Sequence, residues 1–198
     1  MKVIESCGIL LNTFVSFELE SLRKINDGEV LERLPPVVAI GPLLPCDSEK
    51  SQLQLTWLDD QPAGSVLYVS FGSRTALARD QIRELGEGLI KSGSRFVWMV
   101  KDKKVDREDS EELEEVIGHE LMERVQEKGL IVKDWLNQEA TLSHPAVGGF
   151  LSHCGWNSVM EAAWHGALGI KEDARKAVGF GGSSYKGLTE LTSMWKHF

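Results

Sequence analysis

The sequence predicts an α/β chain built on a parallel, Rossmann-like sheet. Three observations carry that expectation. Short apolar runs alternate with helix-period segments from Val66 to His165, the arrangement from which parallel βαβ units are made. Ala146–Ser152 is a brief apolar run with two glycines, which suits a strand buried on both faces. Directly after it the apolar spacing turns helical, with Val159, Met160, Ala163 and Trp164 on one face. No internal repeat is visible.

Taken in order, Gly8–Asn12 reads as a strand and Phe17–Ile25 as a helix with Ser16 as its cap. Leu34–Pro45 is proline-rich and reads as extended linker. Ser51–Leu58 is a short helix, Val66–Ser70 a strand, Arg79–Lys91 a helix and Arg95–Val100 a strand. The charge run Lys101–Glu115 holds few apolar residues and reads as a solvated loop. His119–Gln126 is a helix, Leu130–Lys133 a strand and Gln138–Leu142 a short helix. Strand Val147–Ser152 and helix Trp156–His165 follow. The tail reads as two helices, near Glu172–Val178 and Tyr185–Lys196, split by the turn Gly179–Ser184.

At 198 residues the chain is long enough for a sizeable core. Its apolar and charged fractions are those of globular protein. A formal net charge of −8 argues against a nucleic-acid partner. Cys7, Cys46 and Cys154 are widely spaced and odd in number, which suits a reducing compartment. The apolar stretch Gly8–Thr13 is too short for a secretory signal, and no run approaches membrane-spanning length. A cytoplasmic location is the expectation.

The chemistry concentrates after the Val147–Ser152 strand. His153-Cys154-Gly155 makes a turn, and Asn157 and Ser158 fall in the first turn of the next helix. A helix start leaves N–H groups unpaired and carries partial positive charge, so it holds phosphate without a lysine or arginine. Gly155 lets the backbone come close to the anion. Upstream, Trp135 follows the Gly129–Lys133 strand. Ligands of open α/β sheets sit beyond the carboxyl ends of strands, so Trp135 is placed to stack on a base while the His153 turn holds phosphates.

Other readings are weaker. His153 and Cys154 lack further ligands at zinc spacing, so no metal is expected. Cys154 as a nucleophile needs a neighbouring base. Gly179–Ser184 lacks the G-K-[ST] ending of a phosphate loop and follows a helix. Asp59-Asp60 reads as a solvated turn, His144 as a loop or capping residue, and Trp164 as helix-face core.

The run W-L-N-Q-E-A-T-L-S-H-P-A-V-G-G-F-L-S-H-C-G-W-N-S-V-M-E-A-A-W-H-G, Trp135–Gly166, closely resembles the signature box of plant family-1 UDP-glycosyltransferases. The resemblance implies a GT-B fold, of which this chain is the C-terminal domain. It further implies that Trp135 and the adjoining Leu136 border uracil and that Gln138 bonds the ribose. His153, Asn157 and Ser158, with the Gly155 and Trp156 backbone, would hold the diphosphate, Glu161 would take the ribose hydroxyls, and Ser73 would line the same cleft. UDP-glucose is the donor substrate so implied, with neither metal nor cofactor.

The resemblance extends along the chain. Residues 1–33 resemble the end of the family's N-terminal domain, 34–56 its interdomain linker, 57–170 its UDP-sugar-binding domain and 171–198 its C-terminal helices. Arg79–Leu89 with Lys101–Asp109 is most similar to the flavonoid C-glucosyltransferase branch, whose acceptors are dihydrochalcone-like or 2-hydroxyflavanone-like.

Two departures bear on function. The family's catalytic base is a His, oriented by an Asp, in the N-terminal domain; the given residues hold no candidate for it, so no catalytic residue is expected here. After His165-Gly166 the family's proline-containing strand, its Asp/Glu-Gln pair for the sugar and its final strand are missing, as in an internal deletion. In the order 3-2-1-4-5-6, Val147–Ser152 is then an exposed edge strand, and self-association through it is expected. Three classes follow: a glycosyltransferase by descent, a non-catalytic UDP-binding remnant, and an interaction protein pairing with a full-length relative. A flavonoid-type acceptor is expected only where the missing domain is supplied.

Overall fold

The computed structural model describes residues 3–44, 56–72, 77–101, 113–133 and 136–166, with Gly182, Ser183 and Lys186. They divide between two compact units, the first from Met1–Cys46 with Leu168–Phe198 and the second from Asp47–Ala167.

In the first unit, β1 (Ile9–Leu11) pairs in parallel with β2 (Val37–Ala39). Between them runs α1 (Val15–Asn26). The proline-rich stretch is therefore extended, as expected, but part of it is a strand. The reason lies outside the stretch. The Asn26 side chain grips Val37 at both backbone groups, accepting its N–H at 2.8 Å and donating to its carbonyl at 3.0 Å. Val37 and Ala39 then bury beside Leu22. Helix α1 also starts earlier than its spacing indicates, at Val15, so Ser16 lies inside it and is not its cap. Phe14 holds the N-cap position with no side-chain bond. Its full burial and its stacking on Phe17 at 5.4 Å draw the extra turn in, and the helix kinks at Glu18 to accommodate it.

The second unit is a four-stranded parallel sheet. Helix α2 (Thr56–Asp59) leads into β3 (Val66–Ser70), then α3 (Arg79–Ser92) and β4 (Arg95–Met99). Helices α4 (Leu113–Ile117) and α5 (His119–Gln126) precede β5 (Gly129–Val132). Helix α6 (Gln138–Ser143), β6 (Val147–Ser152) and α7 (Trp156–His165) complete it. The strand order is β5-β4-β3-β6, which is 3-2-1-4 when the strands are counted within this unit. Among the described residues β6 pairs only with β3 and ends the sheet.

Alternation on the strands builds a core on each face. Val69, Phe96 and Trp98 pack with Ile82, Val116 and Val125 from α3, α4 and α5. Tyr68, Val66 and Val97 pack on the other face with Leu58, Leu136 and Leu142. Of the expected loop Lys101–Glu115, residues 102–112 lie outside the described residues, and its last three, Leu113–Glu115, are helical, the start of α4. Val116 and Ile117 of α4 are essentially fully buried, and that burial orders a turn whose first residues are charged. Strand β5 begins at Gly129, the first residue of the expected run Gly129–Lys133 and one before Leu130, because Gly129 pairs with Phe96. A side chain at 129 would collide with the Phe96 carbonyl, so this register needs glycine.

Of the expected helix Ser51–Leu58, residues 51–55 lie outside the described residues and the rest falls in α2; the other expected elements of this unit stand within about a residue. Of the tail, one helical bond is described, Lys186 N–H to the Gly182 carbonyl at 2.9 Å. The expected helix Glu172–Val178 and most of Tyr185–Lys196 lie outside the described residues. Among the described residues no helix is long and apolar enough to cross a membrane.

Candidate nucleotide site

All four strands of the larger sheet are parallel, so their carboxyl ends share one rim. Three loops leave that rim beside one another in the strand order or the helix packing. The β3 loop begins Phe71-Gly72, the β5 loop leads through Leu136 into α6, and the β6 loop is His153-Cys154-Gly155.

The β6 loop is built around an imidazole. A methyl added at Gly72, where φ is +80°, would lie 2.6 Å from His153 Cε1, and one at Gly155 would overlap Nε2. Only hydrogen at both positions leaves the ring its place. Cys154 adopts φ +54°, a left-handed conformation that non-glycine residues rarely take. Its N–H bonds the Ser152 hydroxyl at 2.9 Å, which fixes the turn.

Helix α7 starts at Trp156 with Gly155 as N-cap, and no side chain caps it. Val159 N–H closes the first helical bond on the Gly155 carbonyl at 3.0 Å. The first-turn amides thus face the rim without a protein side chain in the capping position, beside the exposed His153, Trp156 and Asn157. An anion is what such a helix end accommodates.

On α6, Asn137 is the N-cap and accepts Ala140 N–H at 3.0 Å. That start aims Gln138 toward α7. Gln138 Nε2 donates to Ser158 Oγ at 3.4 Å and to Glu161 Oε2. Its Oε1 accepts from the Tyr68 hydroxyl at 3.4 Å. Burial raises the Glu161 carboxyl above the usual range, and the hydrogen bond from Gln138 partly offsets this. Burial is also the main cause that pushes Tyr68 up to about 12; a hydrogen bond with Ser70 opposes the rise and the Glu161 charge adds to it. Tyr68 therefore stays a protonated donor at any physiological pH.

The structure brings together Gln138, His153, Gly155, Trp156, Asn157, Ser158 and Glu161 at this rim. Leu136 is different: the whole residue is only 2% exposed, and it packs with Leu142 and Tyr68. It is a core residue and not, as expected, a surface that borders the base. Trp135 and Ser73 lie outside the described residues. Tyr68 and Ser70 were not singled out in the sequence. Their signal was two hydroxyls at alternate positions of an otherwise apolar strand.

Among the described residues no group of three or more His, Cys, Asp or Glu is placed to hold a metal. The turn residue Asp59 pairs with His144 Nε2 at 3.1 Å, and His144 Nδ1 accepts Ala146 N–H, so both are structural. A cleft of 470 Å³ lined by Trp57, Gln61, Arg95 and Lys128 opens at the amino ends of the strands, the rim that parallel sheets do not use for ligands.

Comparison with known proteins gives the family and the fold. The profile described as "UDP-glucoronosyl and UDP-glucosyl transferase" matches residues 8–169. The UDP-glycosyltransferase 708G2 of Citrus unshiu is 42% identical over 258 aligned positions, covering 98% of this chain and 55% of that protein. An alignment longer than the chain itself means that the relative carries a stretch with no counterpart here. The UDP-glycosyltransferase CGT of Oryza sativa subsp. indica is 49% identical over 168 residues, 83% of this chain and 36% of that protein. The solved structure of Phytolacca americana UGT2, complexed with UDP-2fluoro-glucose and pterostilbene, superposes with a TM-score of 0.84 at 27% identity. It covers 98% of this chain and 56% of its own. The chain thus spans about half or less of the length of the relatives it matches, and the half is the Rossmann-like C-terminal domain of a GT-B enzyme. By this match and this fold, the chain belongs to the UDP-glucuronosyl and UDP-glucosyl transferase family.

Proposed function

We propose that the carboxyl-end rim of the larger sheet is a UDP half-site, and that the intact reaction it serves is glucosyl transfer from UDP-glucose to a flavonoid-type acceptor. The observation that carries this reading is a convergence. An uncapped start of α7, the glycine-flanked His153 and the Gln138–Glu161 pair lie on one rim. Each suits one part of a nucleoside diphosphate. The helix amides and His153 face the diphosphate, Gln138 and Glu161 the ribose, and Trp135, by position in the motif, the uracil.

The chemistry follows from charge. The acceptor nucleophile attacks the anomeric carbon as the bond from that carbon to the diphosphate oxygen breaks, and the configuration inverts. A base takes the acceptor's proton. Negative charge grows on the departing UDP, where fixed amide dipoles of α7 stabilise it. The base belongs to the acceptor-binding half of the enzyme and is not among the residues assigned here. Similarity to the flavonoid C-glucosyltransferase branch favours a carbon nucleophile in the acceptor.

Titration of the purified chain with UDP by calorimetry tests the half-site, with Trp135→Ala and Glu161→Ala as controls. Binding that both substitutions weaken supports it. A folded chain that takes no UDP refutes it. One observation favours a second role. β6 is paired on one side only among the described residues, and Leu151 on it is 36% exposed. Such an edge pairs with other strands. Self-association through β6 predicts that Leu151→Lys shifts the chain toward monomer in sedimentation, and an unchanged profile rejects it.

A further inference from the structure

We infer that Tyr68 is a positioning residue for nucleotide binding: its buried hydroxyl holds the Gln138 amide, from its Oε1 side, in the orientation that meets the ribose. The inference rests on the UDP reading above and adds to it a residue outside the signature box.

A glutamine amide offers a donor end and an acceptor end of nearly the same shape. Which end faces a ligand is set by what the other end is bonded to. Here Oε1 accepts from the Tyr68 hydroxyl at 3.4 Å, so Nε2 points to Ser158 and Glu161. The Tyr68 hydroxyl is well suited to this task. Tyr68 is 0% exposed, so its hydroxyl has no access to bulk water. Its ring stacks on Phe150 of β6 with centroids 5.0 Å apart and planes 6° from parallel. The strand register fixes that pair, since Tyr68 and Phe150 are direct partners of β3 and β6. The sheet itself therefore holds the phenol, and the phenol holds the amide.

Without that donor, Oε1 has lost its buried partner and the amide is held at Nε2 alone, by Ser158 and Glu161. Its plane can then turn about that end, and it no longer meets the ribose in one fixed orientation. Tyr68 touches neither sugar nor phosphate in this scheme. It acts only through Gln138.

The test compares UDP with 2′-deoxy-UDP and 3′-deoxy-UDP on the full chain, in wild type, Tyr68→Phe, Gln138→Ala and the double variant. Wild type is expected to prefer UDP over at least one deoxy analogue by roughly tenfold, the size of one ribose hydrogen bond. Tyr68→Phe should cut that preference to about two- to threefold while affinity for the deoxy analogue stays unchanged. In the Gln138→Ala background Tyr68→Phe should change nothing further. A preference that survives Tyr68→Phe overturns the inference. Equal weakening of all three nucleotides also overturns it, because that is a merely structural effect.

A wild-type chain that binds the three nucleotides equally overturns the inference together with the ribose role of Gln138, while UDP binding itself stands. A wild type that binds none refutes the half-site and this inference with it. Should Tyr68→Phe fail to fold, the wild-type chain still decides. It has two tyrosines, at 68 and 185, so ring-labelled tyrosine gives two signals that Tyr185→Phe assigns. The Tyr68 signal should move with UDP and not with the discriminated analogue. Absence of any movement with UDP overturns the inference.

Discussion

The two flanks of the four-stranded sheet are built to different ends. On the β4 side, Trp98, Phe96, Ile82, Val116 and Val125 form a packed cluster in which nearly every side chain is out of water. On the β6 side the same sheet ends in two glycines, an exposed Leu151, an exposed Trp156 and a turn with a left-handed cysteine. The first flank spends its residues on burial and makes the domain stable. The second leaves backbone amides and polar tips uncovered, which is costly for stability and necessary for a ligand. Stability and binding are thus separable on one sheet, and substitutions on the two flanks should move different observables.

The largest expected effect is on the packed flank. Trp98→Ala removes an indole that is 1% exposed and should cost about 3–5 kcal/mol, read as a fall in the urea midpoint. UDP affinity of whatever remains folded should be nearly intact. A variant that keeps its stability would break the comparison.

Next comes Gly72→Ala, on the other flank. It places a methyl against the His153 ring at a backbone angle that favours glycine. UDP affinity should drop about tenfold, with a smaller loss of stability of about 1–2 kcal/mol from the left-handed backbone. Calorimetry and denaturation of the same sample separate the two.

Glu161→Gln sharpens the contrast further. Because burial raises the Glu161 carboxyl, the proton favours the folded state. Stability from that group is full below the unfolded carboxyl's pKa and is lost as pH rises through the folded one. The substitution should therefore raise the ligand-free Tm at neutral pH by about 1 °C, small because the carboxyl stays partly solvated. The gain should vanish in acid, where wild-type Glu161 is already protonated. UDP affinity should fall at the same time.

The smallest effect is expected at Arg124, which bonds Glu87 through both guanidinium ends at 2.7 and 3.1 Å and links α5 to α3. The hydrogen bond from Arg124 holds the Glu87 carboxyl below its usual range. This pair's contribution is present above the unfolded carboxyl's pKa and lost as pH falls through the folded one. Arg124→Met should lower Tm slightly at neutral pH and not at all in strong acid, with UDP binding unchanged.

The same contrast explains what the sequence made legible. β3, β6 and α7 are readable from residues alone, since Val66–Ser70 and Val147–Ser152 are short, mostly apolar runs without a charge and the spacing after Trp156 is helical. The motif residues at the rim are readable because they are contiguous. What escaped depends on distant partners. β2 exists because Asn26 and Ile9–Leu11 supply its bonds, and no local pattern in a proline-rich stretch reveals that. The extra turn of α1 answers to the burial of Phe14, and α4 to the burial of Val116 and Ile117. The link from Tyr68 to Gln138 spans seventy residues and joins β3 to α6, so only the folded chain brings it into view.

The left-handed Cys154 carries a practical consequence. It puts an exposed thiol at the tip of the turn between β6 and α7, while the exposed Cys7 lies in the other unit. Alkylation rates at the two cysteines, followed by mass spectrometry, give the chain a built-in gauge of occupancy. A nucleotide seated against the turn slows labelling at Cys154 and leaves Cys7 as the clock against which that slowing is timed.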